Sequence, residues 1–362
     1  MFRTGFKKII YLLHLWLGLA SGLVVFVIGL TGAIYSFSDE LKAVVYHDRL
    51  YVIVPQSSKQ HSFDQLLLVA QKKLGKDKKI SRVEIQQAPD RAYMFRAYKA
   101  GQYFEKVYLN PYTAQIVFHE DANKEFFNVV LSIHRTLLLG DIVGHFIIRW
   151  SVVCFVILLL SGIVLWWPKK WKMSIWQQKL KVKWSAKPKR LNYDLHQVLG
   201  FYAFLVMLII SITGLMWSFD LVADKKVKVV SDTTSLIRPT PNERILAKIK
   251  SFEIKPFYLL YNLPSTKSGT VNVSAYLDPH RIHQKVQYRF DQYSGKLLLK
   301  GKSFSSLTMS DQVKALNYDL HTGSILGFWG KLLVCITGLV TASLPITGFL
   351  IWFWQKKKVR NH

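Results

Sequence analysis

The chain has 362 residues, half of them apolar, with 11 Trp, 49 Lys and Arg against 22 Asp and Glu, and a formal net charge of +27. Its long apolar runs exclude an ordinary soluble two-domain protein, and two isolated cysteines, Cys154 and Cys335, exclude a disulfide framework or a thiolate metal cluster. Nucleic-acid binding is also disfavoured, because residues 1–8, 168–190 and 355–362 carry three, nine and four Lys or Arg, no Asp or Glu, and together 16 of the 27 excess charges.

The first apolar run, 9–37, follows the basic residues Arg3, Lys7 and Lys8. It is too long for a signal-peptide core and lacks a small-x-small cleavage site, so it reads as a retained anchor. Three more runs, 142–167, 197–219 and 325–354, each supply the ~20 residues that a spanning helix needs. Four spans put the three basic segments on one side of a bilayer, with both termini cytoplasmic by the positive-inside pattern. The expected division is a transmembrane helix over 1–37, an outer module over 38–130, a second helix over 131–167 and a basic cytoplasmic linker over 168–195. A third helix over 196–219, a second outer module over 220–318, a fourth helix over 319–354 and a basic tail over 355–362 complete it.

The outer segments read as mixed helix and strand. "SFDQLLLVAQKKLG" is an amphipathic helix capped by Ser62, and "ISRVEIQQA" and "AYMFRAYKA" alternate as strands do. "YFEKVYLN" and "AQIVFHED" flank the turn "NPYT", and "KVQYRFD" and "GKLLLKG" flank "DQYSG". The expected fold class is an integral membrane all-α four-helix bundle with two small α+β extracytoplasmic modules.

The two halves repeat one plan. From His14, Gly18 follows at +4, Thr31-Gly32 at +17 and +18, and Ser36-Phe37 at +22 and +23; from His196, Gly200, Thr213-Gly214 and Ser218-Phe219 stand at the same offsets. His134 and His321 open the second and fourth span motifs, with Gly140 and Gly327 at +6, and Ser161-Gly162 matches Thr347-Gly348 within one residue. The halves run in the same sense, as a parallel repeat.

Topology pairs the histidines by membrane face: His14 with His196 inside, His134 with His321 outside. One histidine at an interface is ordinarily an amphipathic anchor. Four at repeat-equivalent positions, two per face, suit axial ligation of two b-type haems by bis-histidine pairs. Gly18, Gly200, Gly140 and Gly327 would leave room for a ring edge, helix packing being their alternative use. Arg135, Arg149, Lys331 and Arg190 are candidates to pair with propionates. His134 to Trp166 is too long for one straight span, so the helix breaks near "LLLGDIVG" or His134 stands above the core; His145 is the alternative outer ligand. Tyr93, Phe95, Arg96, Tyr98, Tyr103 and Arg281 are candidates to receive an anionic complex outside.

"LLHLWLGL", "IHRTLLLG", "DLHQVLGF" and "LHTGSILG", with "NPYTAQIV", resemble the PepSY-associated transmembrane proteins, bacterial iron-regulated inner-membrane proteins that include siderophore reductases. The resemblance covers nearly the whole chain. It implies a four-helix, two-haem core at the inner membrane, periplasmic PepSY-like modules, and reduction of a ferric siderophore or other iron chelate. No GxGxxG turn is present, so electrons would come from quinol or a separate reductase. Two rival readings stay open: a haem-free anchor whose modules bind a peptidase or receptor partner, and, less favoured, a transporter of iron chelates.

Overall fold

The computed structural model describes residues 5–56, 59–168, 170, 172–222, 229–234 and 240–360. Arg3 and Lys169 of the charge pattern lie outside these residues, as do the side chains of Lys357, Lys358 and Arg360. The chain divides into a helical unit (Met1–Ser38, Val130–Ala223 and Asn317–His362) and a sheet unit (Asp39–Val129 and Asp224–Leu316).

The long helices of the helical unit are α1 (Gly5–Ser36), α6 (Gly140–Trp166), α8 (Pro188–Ser218) and α11 (Gly327–Arg360). Among the described residues, four helices are long and apolar enough to cross a membrane. Pro188 starts α8, where its missing N–H has no intrahelical partner to lose. Both α1 and α8 pack on α6 and on α11, so α1 and α8 face each other across the bundle. Small residues set the closest approach: a Cβ on Gly29 of α1 would lie 2.9 Å from Gly338 O of α11. Val25, Phe155, Leu159 and Met207 form the apolar centre.

Two shorter helices precede the second and fourth long ones. α5 (Phe126–Thr136) stops at Leu137 and Leu138, which hold φ of 52° and 59°, and α6 begins at Gly140 with φ of 75°. α10 (Met309–Thr322) stops at Gly323, φ 78°, and a 3-10 turn, Ser324–Leu326, leads to Gly327, φ 62°. A Cβ on Gly144 would collide with the carbonyl oxygen of Thr136 and lie 2.6 Å from its carbon, and one on Gly330 would collide with Gly323 O. The break is thus built from glycine in both halves, and α7 (Met173–Leu180) lies between the halves in sequence.

The sheet unit contains α2 (Ser38–Val45), α3 (His47–Leu50), α4 (Phe63–Leu74) and α9 (Asn242–Lys250). Its first four strands are β1 (Ile80–Gln86), β2 (Tyr93–Lys99), β3 (Tyr103–Leu109) and β4 (Ile116–Asp121). The second four are β5 (Tyr258–Asn262), β6 (Thr270–Tyr276), β7 (Lys285–Asp291) and β8 (Leu297–Lys300). Ser62 and Gln65 close a capping box on α4, as its sequence predicts.

Here the expected fold class is corrected. The protein is not an all-α bundle carrying two small modules: its strands form one eight-stranded antiparallel sheet in the order β4-β3-β2-β1-β5-β6-β7-β8. β1 and β5 pair from Arg82↔Asn262 to Gln86↔Tyr258. Each half alone would leave a strand edge of unpaired N–H and C=O groups, and joining the two edges satisfies both. Val83, Phe95, Val107, Tyr261, Val273 and Tyr288 point to one face, into a single core with Leu66 of α4 and Ile245 of α9.

Glu125 caps the start of α5: its carboxylate accepts the N–H of Phe127 at 2.9 Å, the N–H of Asn128 at 3.0 Å and the Tyr46 hydroxyl at 2.8 Å. Burial pushes its pKa up, but these bonds and Lys42 hold it below the ordinary glutamate value. A group with a depressed folded pKa stabilises above the unfolded value and loses that contribution as pH falls through the folded one. Glu125→Gln is therefore expected to lose about 1 kcal/mol at pH 7. The gap from wild type should close as pH drops below about 4, read by chemical denaturation across pH.

Candidate functional site

Two histidine pairs form inside the helical unit. His14 of α1 and His196 of α8 have ring centroids 6.5 Å apart with planes at 87°. His134 of α5 and His321 of α10 have centroids 6.3 Å apart with planes at 67°. Thr31, which anchors the second pair, is 17 residues after His14 on α1, about 25 Å along the axis.

Every ring is held at Nδ1 by a neighbouring helix. His14 Nδ1 lies 2.8 Å from Ser161 Oγ, and His196 Nδ1 lies 2.8 Å from Thr347 Oγ1. His134 Nδ1 lies 3.1 Å from Thr31 Oγ1 and 3.0 Å from Ile28 O; His321 Nδ1 lies 2.9 Å from Thr213 Oγ1 and 3.0 Å from Ile210 O. Each hydroxyl already donates to a carbonyl of its own helix (Ser161 to Leu158, Thr347 to Ser343, Thr31 to Val27, Thr213 to Ile209). The hydroxyls therefore accept from the rings, so the proton sits on Nδ1 and Nε2 keeps its lone pair. Each pair can then offer two neutral imidazole nitrogens to one metal centre.

A glycine follows each anchoring hydroxyl. A Cβ on Gly32, Gly162, Gly214 or Gly348 would stand 3.1 to 3.4 Å from Cε1 of His134, His14, His321 or His196 respectively. These four glycines let the rings reach their anchors. The glycines that the histidine offsets favour stand elsewhere: Gly18 packs on Leu158 at 3.8 Å, Gly200 on Leu344 at 3.7 Å, and Gly140 and Gly327 form the helix breaks with no side chain within 4 Å.

The helix break resolves the length of the second span: His134 stands on α5, before the break, and not on α6. His145, on α6, has no ring contact or hydrogen bond with the described residues. Of the cations, Arg149 lies over the ring of Phe219 with its Nε buried and unpartnered among the described residues. Arg135 is exposed, Lys331 is buried and already engaged within the fold, and Arg190 is paired with Asp194 at 2.8 Å. Trp166, stacked on Phe201 at 3.8 Å, has a buried indole N–H without a partner among the described residues. Among those residues no group of three or more His, Cys, Asp or Glu gathers to hold a bare metal ion.

A model of the PepSY-associated TM region matches residues 11–356, which takes in all four histidines and both units. The chain belongs to the PepSY-associated TM family. With its four apolar helices, that family makes it a membrane protein. No curated protein matches it in sequence.

The sequence carries a further signal for this member of the family that the histidine offsets alone do not capture. "LNYDLH" occurs at 191–196 and again, unchanged, at 316–321. Asn192 and Asn317 lie one helical turn before His196 and His321. Their amides donate to Thr347 O at 2.9 Å and to Thr213 O at 3.1 Å, so Asn and His clip the same Thr-Gly step. Asp194 and Asp319 are fully buried, the latter accepting from the Ser324 hydroxyl. His14 and His134 have Ile10 and Val130 at the asparagine position, so this clip belongs to one histidine of each pair.

Proposed function

We propose that each histidine pair holds one b-type haem, and that the protein carries electrons across the membrane to reduce a ferric chelate, such as a siderophore, outside the cell membrane. The observation that carries this reading is the matched pair geometry: Nδ1 is engaged, Nε2 is available, and the ring centres are 6.5 and 6.3 Å apart. Metal–imidazole bonds of about 2.0–2.1 Å, with each ring centre roughly 1.2 Å behind its nitrogen, would bring two imidazoles that share one metal centre to about 6.4 Å between ring centres. The donor set supports a haem over a bare ion, because each pair would hold it with two imidazoles and no third His, Cys, Asp or Glu joins them among the described residues. Haem, when bound, supplies one-electron redox chemistry at iron.

The chain's own part is to hold and space. The hydroxyl and carbonyl anchors keep all four imidazoles in the Nδ1–H form that ligates through Nε2. Arg149 and the Trp166 indole offer buried donors without partners among the described residues, suited to carboxylate groups at a ring edge. The ~25 Å between the pairs along α1 divides a bilayer crossing into two steps. One-electron reduction releases iron because iron(II) is held far less tightly by hard oxygen donors than iron(III). Quinol or a partner reductase supplies the electrons on the side of the basic segments, at the bacterial inner membrane.

The test is the visible spectrum of detergent-purified protein, oxidised and then reduced, with haem counted per chain. About two haems per chain, sharp bands on reduction, and their loss on adding a ferric chelate are expected. A colourless protein from haem-replete cells rejects the proposal and favours the partner-binding anchor.

A further inference from the structure

Opposite α4 and α9, the other face of the sheet holds a cavity of about 300 Å³. Arg82, Lys285, Arg289, Asn262, Asn272 and Gln287 line it, and no carboxylate lines it among the described residues. The strand register produces this concentration of donors. Arg96, Arg82, Asn262, Asn272 and Arg289 stand directly opposite one another in a single row from β2 to β7. Of the side chains that the sequence offers to an anionic complex, Arg96 and Tyr98 share this face, whereas Tyr93 and Phe95 point into the core beneath α4.

Like charges directly opposite each other destabilise a sheet, so Arg82 facing Arg96 is a feature to be explained. Arg82 Nε donates to Asn262 Oδ1 at 2.7 Å, which sets the guanidinium plane and leaves its Nη groups without a partner among the described residues. Arg96 lies over Tyr98 at 4.8 Å and Phe104 at 5.1 Å, with its Nε buried and unpartnered among the described residues. Burial, and then the neighbouring Arg82, depress its pKa. The carboxylates of this face are themselves engaged: Glu120 with Arg49 and Lys106, Glu84, opposite the lining residue Leu260, with the Gln86 amide at 2.6 Å, and Asp291 with the backbone N–H groups of Asp232, Tyr293 and Ser294.

We propose that this cavity binds a small polycarboxylate that also carries hydroxyl or carbonyl oxygens, the chemistry of an oxygen-donor iron chelate. Guanidinium forks pair with carboxylates through two parallel bonds. Arg82 and Arg289 are three strand spacings apart, roughly 14 Å between backbones, and Arg289, like Lys285, already has a partner within the fold that a ligand would share or displace. A ligand engaging both therefore presents at least two anionic groups, and the amides of Asn262 and Asn272 lie between them to meet neutral oxygens. Only the iron in this assignment rests on the electron-transfer reading; the carboxylate site stands on the sheet face alone.

The test is calorimetric titration of the full-length protein in detergent at low salt with citrate, ferric citrate and inorganic phosphate. Citrate and its ferric complex are expected to bind, with phosphate at least tenfold weaker. Arg82→Gln should weaken both at least tenfold, Arg82→Lys should weaken them less, and neither should change haem content. Arg289→Gln, at the far end of the row, gives an independent reading should Arg82→Gln fail to fold. Absence of citrate binding, wild-type affinity in the glutamine variants, or phosphate binding as tight as citrate overturns the proposal. Citrate binding to a colourless protein upholds the site while rejecting electron transfer. A haem-loaded protein that reduces chelates but does not bind citrate does the reverse.

Discussion

A His321→Ala variant is expected to hold one haem per chain in place of two, with the remaining spectrum that of the His14–His196 pair. The loss is complete because His134 and His321 are the two imidazoles paired there, with ring centroids 6.3 Å apart, and His145 is not part of that pair. His134→Ala should give the same single-haem protein. His14→Ala and His196→Ala should each remove the other haem, so that His14→Ala with His321→Ala yields a colourless protein. On the proposed electron path, delivery to a ferric chelate should fall at least a hundredfold in every single variant, since each would remove one of two steps in series. Retention of two haems in His321→Ala, counted by pyridine haemochrome assay, would break the pairing. His145→Ala serves as the control and should keep both.

The second large effect is at the helix break. Gly144→Val is expected to destabilise the protein by at least about 3 kcal/mol, because its Cβ would collide with the Thr136 carbonyl group that ends α5. The displaced segment carries His134, so the outer-pair haem should be lost while that of His14 and His196 remains. Gly140→Ala has no such collision, only a positive φ of 75°, and should cost about 1 kcal/mol with both haems retained. Thermal denaturation in detergent, together with haem counting, separates the two outcomes.

Much of this site is readable in the sequence because it is written twice. Equal offsets from His14 and His196 reveal a shared register, and topology alone assigns each histidine a partner. The roles of the glycines are less legible. Gly18 and Gly200 stand one turn beyond a histidine on its own helix and so invite a contact, whereas Gly32, Gly162, Gly214 and Gly348 act on rings from other helices. That relation needs knowledge of which helices touch, although the recurring Ser/Thr-Gly step flags all four. Asn192 and Asn317 are visible in the repeated "LNYDLH" once their histidines are known to matter. The pairing of β1 with β5 left no local trace. Alternation in "ISRVEIQQA" fixes which side chains face the core, but it says nothing about a strand that begins 172 residues after β1 ends.

That seam also sets a timetable for biosynthesis. β2, β3 and β4 follow β1 within one short stretch of chain, so the first half of the sheet can assemble as soon as it is made. The free edge of β1 must wait for β5, and at about 5–20 residues per second the wait is roughly 9–35 s. Two spanning helices have to be inserted during that interval. A newly made chain therefore passes through a stage in which an adhesive strand edge is on display, and truncation before Tyr258 would make that stage permanent.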